Sequence, residues 1–193
     1  MDVKLISQLR EQTGAGMLAV KKALDESNGD AEGAIDILRK SGAAKAAKKA
    51  SRDTNHGSVG SYIHGEGKIG VLVEIQCETD FVARNEQFQE MVSDVAMHVA
   101  AMNPLYISRD EVPDAVVAKE REIYMEEVQG KPVEIVDKIL DGKIDKYYKE
   151  VCLLEQEYLK DDSKTVEEYM QSRVLSLGEN LRIAHFSRLA IGE

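Results

Sequence analysis

Between Gly57 and Cys77 the hydrophobic period changes from that of a helix to that of a strand. In "GSVGSYIHGEGKIGVLVEIQC" two extended runs flank the turn "GEGK", a hairpin pattern. On the second run Ile69, Val71, Val73, Ile75 and Cys77 share one face, which must be core. Gly70, Leu72, Glu74 and Gln76 share the other, mostly open face. The closing stretch "NLRIAHFSRLAIGE" alternates roughly and is expected to pair with this hairpin. The expected fold class is therefore α+β, with a small antiparallel sheet packed with helices.

Helical spacing governs the rest. Residues 1–42 read as three short helices: "DVKLISQLREQ", then "GMLAVKKALDES", then "AEGAIDILRKSG" with Asp30 as N-cap. Gly42 stands where a C-terminal glycine would end the third. Residues 43–56 read as a helical or loop linker, and residues 57–193 as the α+β core domain. Within the core, Phe88, Met91, Val92, Val95 and Val99 form a helical stripe, with Asn85 able to cap its start and Pro104 ending it. Pro113 opens a further helix, and "KPVEIVDKILDGKIDKYYKEVCLL" carries another. Thr165 and Glu168 make a T-x-x-E capping box for the last.

The 193 residues suffice for one larger domain, or a small domain plus a medium one. The formal net charge of −10 argues against a dedicated nucleic-acid binder. The balance is uneven: residues 40–53 hold five basic residues and one acid, while residues 109–162 hold nine basic residues and sixteen acids. No apolar run approaches the roughly 20 residues of a membrane span. The amphipathic start "MDVKLISQLREQTG" does not have the pattern of a signal peptide. Cys77 and Cys152 lie in apolar surroundings without metal-ligand spacing, which suits buried free thiols in a reducing, cytoplasmic setting, with a disulfide as the alternative.

Chemistry of the chain's own has one foothold. Glu74, Gln76, Glu78 and Asp80 would alternate onto one face if the strand continued, with neighbours about 7 Å apart. Oxygen ligands so placed could hold Mg²⁺. Open sheet faces are ordinarily polar, so solubilising residues are the plainer account and no metal or cofactor is assigned. Of His56, His64, His98 and His185 none has a nucleophile partner in sequence; His98 sits at the edge of the apolar stripe. Phe81, in "TDFVARN", has two readings. It is a buried anchor that fixes the entry of the next helix, as most phenylalanines are, or an exposed wedge for a partner.

Several long stretches together resemble bacterial elongation factor Ts. They are "LREQTGAGMLAVKKAL", "NGDAEGAIDILRKSGAAKAAKKASR", "CETDFVARNEQF", "GKPVEIVDKILDGKIDKYYKEVCLLEQEYLKDDSKTVEEYM" and "RIAHFSRLAIGE". The resemblance implies a guanine-nucleotide exchange factor for elongation factor Tu in translation, not an enzyme. It also implies a ubiquitin-associated-like fold for the first module. With one hairpin and one "TDFV", the chain resembles the short form of the family, in which two chains pair, so a homodimer and a 2:2 complex are expected. Thr79, Asp80, Phe81 and Val82 match the segment that enters the partner's GTPase domain. There the ring acts as a wedge and the segment disturbs the Mg²⁺ site. Met17, Leu18 and Lys21 match the first module's contact surface, and His64 matches a position near the interface. Direct nucleic-acid and membrane contacts are not implied. Two other classes compete: a Mg²⁺-dependent hydrolase on Glu74, Glu78 and Asp80, and a small ubiquitin-like or nucleic-acid binding module in residues 1–52.

Overall fold

The computed structural model describes residues 3–130 and 132–193. Asp2, the expected start of the first helix, and Lys131, in the expected helical stretch after Gly130, lie outside the described residues. The chain divides into two compact units, Met1–Ala100 with Glu167–Glu193, and Ala101–Val166.

The first unit begins with three helices, α1 (Val3–Thr13), α2 (Met17–Glu26) and α3 (Ala31–Lys49). Their apolar faces bury Ile6, Leu9, Val20, Ala23, Leu24, Ala34 and Leu38 in one cluster. Asp30 caps α3 as its residue type suggests, its side chain accepting from the Gly33 N–H at 2.9 Å. The end of α3 is a correction to the sequence reading: the helix does not stop at Gly42 but runs on to Lys49. Gly42 is buried mid-helix, and a Cβ there would come within 2.8 Å of Leu175 Cδ1. A mid-helix glycine costs about 1 kcal/mol against alanine; here it permits close approach of a neighbouring side chain.

The sheet has the order β1-β2-β5, from β1 (His56–His64), β2 (Ile69–Cys77) and β5 (Leu181–Ala190), all antiparallel. The closing stretch thus pairs with the hairpin as expected. The register shifts once, so that Glu74 faces His185 while Ile75 faces Ile183, leaving Ala184 as the extra residue. Val71, Val73, Ile75 and Cys77 are buried on one face of β2. Helix α4 (Asp80–Ala83) follows directly, then α5 (Glu86–Met102). Phe88, Met91, Val92, Val95 and Val99 are all buried, as their spacing predicts, and His98 is fully buried among them rather than at an edge. Gly60 lets α5 lie close against β1, since a Cβ there would sit 2.3 Å from Val92 Cγ1. Helix α8 (Val166–Leu177) leads into β5, and its Tyr169 hydroxyl donates to the buried Asp94 carboxylate at 3.0 Å.

The second unit is built on α6 (Asp114–Glu127) and α7 (Val133–Val151). Arg121 of α6 joins Asp141 of α7 at 2.9 Å. A two-stranded ribbon, β3 (Glu157–Tyr158) with β4 (Asp161–Thr165), follows, which the sequence reading did not expect. Its second strand, "DDSKT", is polar and charged and carries no alternating apolar signal. Asp161 accepts from Lys164 and Ser163, which lowers its carboxyl pKa to about 2. Among the described residues no helix is long and apolar enough to cross a membrane.

Candidate functional site

The segment after β2 is a single helical turn held from several sides. Thr79 caps α4, its hydroxyl oxygen accepting from the Val82 N–H at 3.3 Å. The turn closes through the Ala83 N–H to Thr79 O and the Arg84 N–H to Asp80 O, both 3.2 Å. Asn85 then opens α5 by accepting from the Gln87 N–H at 2.8 Å, as expected of it. The Gln89 side chain reaches back to Ala83 O at 2.6 Å. Beneath the turn the buried Cys77 thiol donates to Thr79 O at 3.1 Å, and burial pushes its pKa up.

On this hydrogen-bonded turn Phe81 projects outward, 84% exposed, while Ala83 two residues on is buried. The buried-anchor reading of Phe81 therefore does not hold for this chain. The helical turn explains why: it buries Ala83 and leaves the residue two positions earlier facing solvent. Asp80 pairs with Arg84 at 3.1 Å on the same turn.

The expected row of four polar side chains is also corrected. The strand ends at Cys77, so Glu78 and Asp80 leave the alternation that places Glu74 and Gln76 side by side. Glu74 accepts from Gln76 Nε2 at 2.6 Å, Glu78 is engaged by Arg52 and Asn180, and Asp80 by Arg84. Among the described residues no group of three or more His, Cys, Asp or Glu is placed to hold a metal ion.

Two residues that the sequence reading missed hold the turn in place. Glu179 Oε2 accepts from the backbone N–H groups of Glu78 and Thr79 at 3.1 and 3.0 Å. Its Oε1 accepts from the Thr79 hydroxyl at 2.7 Å. In return Glu78 Oε1 accepts from the Asn180 N–H at 2.6 Å. That bond, followed by Arg52, holds the Glu78 carboxyl below its ordinary pKa. The signal is the pairing of Cys77 with Leu181, which sets residues 78–79 opposite 179–180, and it is visible only once the sheet register is known.

The first module presents a second surface. Met17 and Leu18, at the start of α2, are 51% and 83% exposed, and Lys21 is exposed on the next turn. Met17 and Leu18 line an open groove of about 390 Å³ with Leu38, Lys45 and Leu175. Gly16 precedes them in an extended conformation, caps α2 without a side chain and also lines the groove. His64 stands apart from Thr79–Val82. It ends β1 at the turn of the hairpin, stacked on Tyr62, whose hydroxyl lies 3.3 Å from His64 Nδ1. That is the far end of the hairpin, about 26 Å along the strand.

A family model described as elongation factor TS matches residues 44–193. The elongation factor Ts of Thermosipho melanesiensis is 50% identical over 195 residues, covering 100% of each chain. That of Geobacter sulfurreducens is 52% identical over 97% of this chain and 88% of its own. That of Thermoanaerobacter pseudethanolicus is 53% identical over 100% of this chain and 96% of its own.

Proposed function

The chain belongs to the elongation factor Ts family, whose role is nucleotide exchange on elongation factor Tu, and we propose that it performs this exchange through the α4 turn and the start of α2. The observation that carries the reading is Phe81, exposed on a turn that hydrogen bonds fix on both flanks. An exposed aromatic ring on a backbone already held in place enters a partner at a reduced ordering cost. In this reading the ring of Phe81 wedges into the GTPase domain, and Thr79, Asp80 and Val82 accompany it. The inserted segment disturbs the partner's Mg²⁺ site, GDP leaves, and GTP can bind. The chain makes and breaks no covalent bond and needs no metal or cofactor of its own.

One ring is not enough. The factor must bind the nucleotide-free partner more tightly than the nucleotide-bound one, and nucleotide then weakens factor binding to the same extent. A shift of about 10⁴ needs about 5.5 kcal/mol of differential affinity. Burying one Phe side chain supplies about 1.5–3 kcal/mol. Met17, Leu18 and Lys21, beside their apolar groove, are the further contact, and His64 is a lesser one. Calorimetric titration of the chain into elongation factor Tu tests the linkage. Affinity should be at least about a hundredfold higher for the nucleotide-free form; equal affinities would remove the basis for exchange.

A homodimer is part of the same proposal. The outer face of the sheet exposes Val59, Ile63, Leu72 and Leu189. Ile63 and Leu189 both face Gly70 across the strands, Leu72 lies between Ser61 and Ser187, and Val59 faces Glu74, so these apolar side chains share one face of the sheet. A second copy covers it in our reading, which would make the complex 2:2. Light scattering during size-exclusion chromatography should give twice the 21.4 kDa chain mass. Leu72→Lys should return it to one chain. A lone mass near 21.4 kDa for the unmodified protein would contradict the pairing.

A further inference from the structure

We propose that Glu179 is a positioning residue for the Thr79–Val82 segment, and that the turn Gly178–Asn180 ties this segment to the end of α3. The inference rests on the reading that the segment enters the partner.

The β2–β5 pairing ends at Cys77 opposite Leu181. Beyond that point two carboxylates cross between the strands instead. Glu179 gathers three donors from Glu78 and Thr79, while Glu78 accepts from the Asn180 N–H. Hydrogen bonds to an ionised acceptor are roughly twice as strong as neutral ones. The Thr79 hydroxyl that Glu179 holds also accepts from the Val82 N–H. The carboxylate therefore fixes the orientation of the residue that starts the Phe81 turn.

The same turn reaches the first module. The Lys49 ammonium donates to Gly178 O. Asn180 Nδ2 donates to Arg52 O at 3.0 Å and to Ala50 O at 3.4 Å. Arg52 itself pairs with Glu78 at 3.3 Å. Residues 49–52, at the end of α3, and residues 78–79 thus share one support three residues long. The spacing of the two proposed contact surfaces is set there, and not by a slack linker.

The test is a double-mutant cycle on the release of a fluorescent GDP analogue from elongation factor Tu. Glu179→Ala should lower the maximal release rate about tenfold, because a ring on a loosened turn must be ordered as it enters the partner. The concentration giving half the maximal rate should change less. Glu179→Gln, which keeps one carbonyl acceptor, should recover part of the loss. In a Phe81→Ala background Glu179→Ala should cost less than about twofold, since no ring remains to be positioned. A general structural weakening would instead multiply with Phe81→Ala, and that result would overturn the proposal. So would a wild-type rate for Glu179→Ala. If Glu179→Ala does not fold, the cycle is run with Glu179→Gln and read the same way. No acceleration by the unmodified chain would overturn the exchange reading itself, whereas normal acceleration with full independence of the two sites would overturn only the positioning role.

Discussion

Phe81→Ala is expected to slow GDP release from elongation factor Tu by about ten- to a hundredfold while leaving the fold intact. The size follows from the ring: burying a Phe side chain is worth about 1.5–3 kcal/mol, and each 1.4 kcal/mol is a factor of ten. The indifference of the fold follows from exposure. At 84% exposed, the ring contributes little to the chain's own core. Exposed substitutions usually change stability by less than about 0.5 kcal/mol. For a chain of this length that is a shift of about 2 °C or less in the unfolding temperature. A drop of the size seen on deleting a core side chain would mean that Phe81 is packed in solution, and the wedge would have to be abandoned.

Phe88→Ala should behave in the opposite way. Phe88 is fully buried, seven residues after Phe81 and in the next helix, on the face of α5 that carries Met91, Val92, Val95 and Val99. Truncating a buried Phe costs about 3–5 kcal/mol, the transfer term plus the cavity left behind. At about 2–4 °C per kcal/mol the unfolding temperature should fall by about 6–20 °C. Below that temperature the folded variant should accelerate GDP release from elongation factor Tu to a rate close to normal, because the α4 turn is untouched. Calorimetry and the release assay on the same preparation check both halves. An unchanged unfolding temperature would contradict the placement of Phe88 in the core. A large loss of rate at full folding would show that α5 packing controls the turn more directly than its hydrogen bonds suggest.

These two phenylalanines show how far the sequence was legible. Phe88 belongs to a stripe at helical spacing, and a stripe is a periodic signal that survives without knowledge of neighbours. The alternation of Val71, Val73, Ile75 and Cys77 is another, and both were placed correctly. Phe81 belongs to no stripe. Its apolar character favours burial, while the frequency of aromatic residues in binding hot spots and the family resemblance point outward. The turn Asp80–Ala83 decides the matter, because four residues of helix bury one side chain and expose its neighbour.

The misread features share a physical cause. Gly42 has the residue type of a helix end, but a helix end and a close packing contact use glycine alike. What separates them is Leu175, more than a hundred positions away in sequence. Glu179 carries no signal of its own in the sequence. Its role depends on the register that brings residues 78–79 opposite 179–180, which no local pattern encodes. The ribbon of β3 and β4 is short and polar, so neither period marks it. Long, periodic, apolar segments were therefore readable, while contacts set by strand pairing were not. The proposed site lies at the join of the two kinds, with a legible scaffold and a clamp that appears only in three dimensions.

The most direct measurement is stopped-flow release of a fluorescent GDP analogue from elongation factor Tu in the presence of Mg²⁺, with the unmodified chain and then with Phe81→Ala. The account predicts strong acceleration by the unmodified chain, most of it lost on removing the ring. Acceleration that Phe81→Ala leaves untouched would contradict the role given to the exposed turn, and no acceleration at all would contradict exchange as the activity of this chain.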